Sequence, residues 1–128
     1  MAERVDCSAV EWRPRVSLQD VPEALVGARA GLITTNVDTP SGEFSCPMKL
    51  FDYARCGLPV ITTGLPSLQS LYVGAWCTEV PSPSQASWVE AFKQYQYDPA
   101  QAESARQWAD HHTWAVRAAQ IMRALDFA

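Results

Sequence analysis

The sequence is short of the features that would assign it quickly. None of its four cysteines, Cys7, Cys46, Cys56 and Cys77, forms a C-x-x-C pair, and neither histidine stands at zinc-finger spacing from them. That leaves no ground for a structural zinc site and predicts reduced, mostly buried thiols. Basic residues are too few for a general nucleic-acid binder, since 10 Lys and Arg against 14 Asp and Glu leave a net charge of -4. No apolar run approaches the ~20 residues of a transmembrane helix. The start, Met1 to Arg4, is not that of a signal peptide. The expected location is therefore cytoplasmic, with any membrane contact peripheral, at the inner membrane. Internal repeats and low-complexity tracts are also lacking.

What remains is a globular composition, 48% hydrophobic and 19% charged over 128 residues, enough for one core and too little for two ordinary domains. Strand-length apolar runs alternate with helix-length periodic segments, the pattern of an α/β domain with a parallel sheet. Residues 10–16 read as a first, edge-type strand containing Pro14. Asp20 is placed to cap a helix running to about Ala30, with Glu23 completing a capping box. Residues 31–35 form a second strand, followed by a turn-rich loop from Asn36 to Ser45. Pro47 opens a helix that ends at Cys56 before the stop residue Gly57. Residues 58–63 make a third strand, 66–72 a short helix and 76–80 a fourth strand. The region from about 84 to 126 reads as helical. Trp88, Phe92 and Tyr95 share one helix face, and Trp114, Ala118, Ile121 and Leu125 share another. The tryptophans Trp88, Trp108 and Trp114 are expected in the core. Adjacent His111 and His112 diverge by about 100° on a helix and cannot chelate one metal from one face.

The segment from Ser41 to Gly64 carries the chemistry. A small-residue loop leads into a helix start, where free backbone N–H groups and the helix dipole favour an anion. In open α/β sheets such sites lie at the carboxyl ends of the strands. Lys49 and Asp52 are three residues apart and share a helix face, with Leu50, Phe51 and Ala54 directed to the core. A cation and a carboxylate beside an anion-binding turn suit a nucleoside diphosphate. The bland alternative for the same pair is an exposed ion pair worth a few tenths of a kcal/mol.

Pro47-Met-Lys-Leu-Phe-Asp-Tyr-Ala-Arg-Cys-Gly-Leu-Pro-Val-Ile61 resembles the P-x-K-x-x-E-Y-x-A-x-G-x-P-V signature of GT-B glycosyltransferases. The likeness is to the large retaining family that uses nucleotide-sugar donors. The stretches 20–33 and 112–118 are similar to the flanking parts of its donor-binding domain. The resemblance implies a Rossmann-like sheet belonging to the C-terminal, nucleotide-sugar-binding half, with residues 1–128 forming one partial domain. It also implies transfer of a glycosyl group to an unidentified acceptor, and no catalytic metal or other cofactor. Asp52 matches the carboxylate that binds the donor ribose. Phe44, Ser45 and Cys46 match the loop whose amides contact the diphosphate, and Lys49 and Glu43 are further donor-site candidates.

Two departures stand out. Asp52 is one methylene shorter than the usual Glu, and the first Glu of the family's E-x7-E pair would fall on Phe44, one residue from Glu43. Two strand–helix units and an acceptor domain would precede this region in a complete enzyme. The chain alone is accordingly expected to be inactive, and a non-catalytic nucleotide-sugar-binding subunit or an epimerase fragment are the alternatives. Omitting those strands would leave the 31–35 strand as a β-branched edge. A homodimer or a complementary N-terminal-domain subunit is the expected cover.

Overall fold

A computed structural model describes residues 8–35, 39, 45–71 and 73–125. Its centre is a three-stranded, all-parallel sheet in the order β1-β2-β3, formed by β1 (Gly31–Ile33), β2 (Val60–Thr63) and β3 (Cys77–Val80). Pairing sets Gly31 opposite Val60 and Val60 opposite Cys77, so Ile33, Thr62 and Glu79 lie in one row across the sheet. Parallel neighbours need crossovers. α1 (Val21–Ala24) precedes β1. Helix α2 (Lys49–Arg55) links β1 to β2, and α3 (Pro66–Ser70) with a 3₁₀ turn (Gly74–Trp76) links β2 to β3. Three longer helices complete the chain: α4 (Gln85–Gln94), α5 (Pro99–Asp110) and α6 (Trp114–Leu125). The fold is α/β and Rossmann-like, a parallel sheet flanked by helices.

The core explains why α2 sits where it does. Leu50 and Ala54, one turn apart, are fully buried, and they pack with Ile33, Val60, Leu65, Trp76, Ala105 and Trp108. Each large aliphatic side chain removed from water in this way contributes roughly 1.5–3 kcal/mol. Trp108 is the hub of the aromatic part. Its ring lies 5.3 Å from both Phe51 and Trp76, and its indole N–H donates to the Leu71 carbonyl. Helix α2 stops where expected. Gly57 has φ +67°, and its N–H donates to the Ala54 carbonyl, a left-handed cap that glycine adopts without steric penalty. Beneath the same helix, β1 begins at Gly31, where any side chain would collide with the Tyr53 ring.

Several expectations give way. No strand forms over 10–16; the stretch is exposed and irregular, with Arg13 paired to Glu11 and also donating to the Ala24 carbonyl. Pro14 removes a ladder donor, and among the described residues no neighbouring strand is there to reward extension. The helix after Asp20 lasts only to Ala24. Its capping box does not form, because the Asp20 carboxylate accepts the Ser17 hydroxyl instead of a backbone N–H. Trp114, expected inside, is exposed, and Trp88 is half-buried, so Trp108 alone of that stripe is a core residue. The thiols are less buried than composition suggested: Cys46 is exposed, Cys56 and Cys77 are half-buried, and all three are free. Among the described residues β1 pairs with β2 alone, leaving it as an edge with Leu32 40% exposed.

Candidate functional site

Two side-chain bonds gather the carboxyl ends of β1 and β2. The Thr63 hydroxyl donates to the Thr35 carbonyl at 2.7 Å, and the Ser67 hydroxyl donates to the Ser45 carbonyl at 2.6 Å. Each ties the segment leaving β1 to the segment leaving β2, so the approach to α2 is fixed against the start of α3. Parallel topology puts the N-terminus of α2 on this same rim, where open α/β sheets receive their ligands.

On that rim Lys49 is the first residue of α2, and Asp52 lies in its first turn. Both are exposed, and among the described residues neither forms an ion pair or a side-chain hydrogen bond. The exposed i,i+3 ion pair is thus not made. Ser45 is half-buried with its carbonyl engaged by Ser67, and Cys46 is exposed. Glu43 and Phe44 lie outside the described residues. The helix start offers fewer donors than a free first turn. Leu50 and Phe51 already donate to the Pro47 and Met48 carbonyls, leaving the N–H groups of Met48 and Lys49 without a described partner. At the far end of α2 burial raises the pKa of the Cys56 thiol. Asp52 pushes in the same direction, and Arg55 and Arg106 oppose it. Tyr53 is likewise raised, chiefly by burial, with a further push from Asp52.

A cleft of about 220 Å³ opens nearby that sequence reasoning missed. Thr62, Gly64, Gln69, Cys77 and Glu79 line it, with Leu68 beneath; neither Lys49 nor Asp52 does. The Glu79 carboxylate lies so close over Gly64 that any side chain there would strike it. The signal for this cleft is pairing register, which sets Thr62 opposite Glu79, and register cannot be read from either strand alone. Burial raises the Cys77 thiol to about 12, so it is inert as a nucleophile at neutral pH.

Of the two histidines His111 is exposed and His112 half-buried. Nδ1 of His111 and of His112 each lies 2.7 Å from a helical carbonyl, of Gln107 and Trp108 respectively, and therefore carries the proton. The His112 ring stacks on Trp108 at 3.9 Å. Among the described residues no cluster of three or more His, Cys, Asp or Glu could hold a metal ion, and no helix is long and apolar enough to cross a membrane.

Compared with known families, residues 3–123 match the family described as Glycosyl transferase-like. Comparison with curated proteins and with solved structures gives no significant match.

Proposed function

The chain belongs to the glycosyl transferase-like family, and from that premise we propose that it is a GT-B-type donor-binding domain that holds a nucleotide sugar at the carboxyl rim of its sheet. The observation that carries this reading is the pair Lys49 and Asp52, both exposed and without described partners, on the helix that follows β1. Asp52 accepts hydrogen bonds from the ribose hydroxyls, and Lys49 offers its ammonium to the diphosphate. The N–H groups of Met48 and Lys49 add backbone donors, and charge-assisted bonds of this kind are worth roughly 1.5–3 kcal/mol each.

In glycosyl transfer negative charge builds up on the departing diphosphate, so donors fixed beforehand lower the barrier. The two clamps, Thr63 to Thr35 and Ser67 to Ser45, supply that fixity. No metal enters this scheme, and its setting is cytoplasmic. Sugar transfer itself needs an acceptor-binding surface, which a complementary N-terminal domain would supply.

The test is an amide NMR titration with a panel of nucleoside diphosphates. Shifts should concentrate on residues 45–52 and fade in Asp52→Asn. That substitution should leave unfolding free energy within about 0.5 kcal/mol, as for an exposed side chain. Shifts that map to the Thr62–Glu79 cleft instead, or none at millimolar ligand, would refute the assignment. A loss of several kcal/mol in Asp52→Asn would make Asp52 a structural carboxylate.

A further inference from the structure

A groove of about 580 Å³, larger than the Thr62–Glu79 cleft, opens at the end of α2 away from the carboxyl rim. That volume falls within the ~300–1,000 Å³ of small-molecule sites. Leu25 and Val26, just after α1, and Leu58 give it an apolar wall, and Val26 is 79% exposed. Its polar part comes from Arg55, the last residue of α2, from Arg106 of α5, and from Tyr97 and Cys56. At ~1.5 Å per residue Arg55 stands roughly 9 Å along the axis from Lys49, so the groove is separate from the rim.

The backbone here has no donors to spare. The N–H groups of Cys56, Gly57 and Leu58 already donate to the Asp52, Ala54 and Tyr53 carbonyls. The helix end itself carries about half a negative charge. An anion in this groove must therefore be held by side chains, and two guanidiniums outweigh that half charge. Both reach Cys56, where each opposes the rise in the thiol pKa. Arg106 is also held in a definite pose. A Cβ at Gly57 would stand 2.5–2.6 Å from Cζ, Nε and Nη2 alike, so Gly57 lies against the face of the guanidinium. Nη1 faces the Glu103 carboxylate at 3.5 Å. The Nε–Nη2 edge has no hydrogen-bond partner among the described residues, and neither has the Arg55 guanidinium. Such an edge is the fork that receives two oxygens of a carboxylate or phosphate.

We propose that this groove binds a small organic anion, a carboxylate or phosphate carried on an apolar body of ring size. The Arg106 fork takes the anionic head, Arg55 adds a second cation, and Leu25, Val26 and Leu58 cover the apolar body. Neither part suffices alone. Exposed cations hold a bare anion weakly in water, and an apolar wall gives a ligand no orientation. The site is independent of the donor-binding assignment at the rim.

An amide NMR titration with benzoate, acetate and benzyl alcohol tests it, since the two smaller-featured probes carry only the charge or only the ring. Benzoate should shift residues 25–28 and 55–58 and bind about tenfold tighter than either control. Arg106→Gln should weaken it about tenfold, and Arg106→Lys should restore only part, because lysine keeps the charge without the fork. Arg55→Gln, at an exposed position, should weaken it as well and keeps the test open if Arg106→Gln disturbs the end of α2, which circular dichroism would reveal. No shifts at about 20 mM benzoate, or shifts indifferent to both glutamine variants, overturn the proposal. So does acetate binding as tightly as benzoate, which would leave charge as the whole effect. Shifts confined to residues 45–52 would move the anion to the rim and overturn this site while leaving the donor assignment standing. Arg106-dependent pelleting with anionic phospholipid vesicles, without a response to benzoate, would assign the groove to a lipid surface and overturn it equally.

Discussion

Helices α2 and α6 have similar apolar periodicity and opposite fates. In α2 the residues one turn apart, Leu50 and Ala54, are fully buried against Val60 and Trp108. In α6 the stripe from Trp114 to Leu125 is more regular, yet none of it is buried. The difference lies in what stands opposite. A parallel crossover must lay its helix on the sheet, so α2 has an apolar floor by construction. α6 follows the last strand and the helix α5, and its stripe points away from both. Periodicity says that a helix has an apolar side; topology decides whether the domain can use it.

The contrast breaks most sharply under truncation. Leu50→Ala should cost about 2–5 kcal/mol, the range for emptying a packed core site, measured by denaturant unfolding. Failure to reach 1 kcal/mol would mean that α2 is not the keystone it is taken to be. Gly57→Ala should come next, at about 1–2 kcal/mol, since it forces a side chain into φ +67° and against the Arg106 guanidinium. A lowered Tm with unchanged far-UV dichroism is the expected result.

A third effect is alkaline. The folded pKa of Cys77 is raised to about 12 from 9.0, so the thiol contributes stability that is fully present below pH 9. That contribution is lost as pH rises toward 12, because the unfolded chain ionises first. At pH 10 the loss is at most about 1.4 kcal/mol. Tyr53 and Tyr95, both raised mainly by burial, add losses of the same sign at higher pH. The stability gap between the wild type and Cys77→Ala should narrow as pH climbs from 8 to 10.5 in urea titrations; a gap independent of pH would contradict a half-buried thiol held neutral. The smallest effect belongs to α6. Ile121→Ala should shift unfolding by no more than about 0.5 kcal/mol, as for an exposed side chain. A larger loss would erase the distinction between the two helices.

The rim was legible because a motif spells out consecutive, local geometry. Gly57 and the apolar positions before it mark where α2 stops and which side it buries, although the helix begins at Lys49, two residues after Pro47, and the same phase sets Lys49 and Asp52 on one face. The Thr62–Glu79 cleft was not legible, since it depends on which residue of one strand faces which residue of another. The N-terminal strand failed for a related reason: extended residues form a strand only where a neighbour accepts their hydrogen bonds.

The sequence by itself determined the parallel α/β order, the phase and stop of α2, and the family to which the chain belongs. Those properties rest on backbone conformation and on side chains a few residues apart, which the local sequence specifies. Tertiary structure alone decided that Trp108 is a core residue while Trp114, six positions later, stands in solvent. It also set the Glu79 carboxylate over Gly64 and left the apolar side of α6 exposed. Burial and pairing are properties of surfaces brought together, and no residue carries them alone.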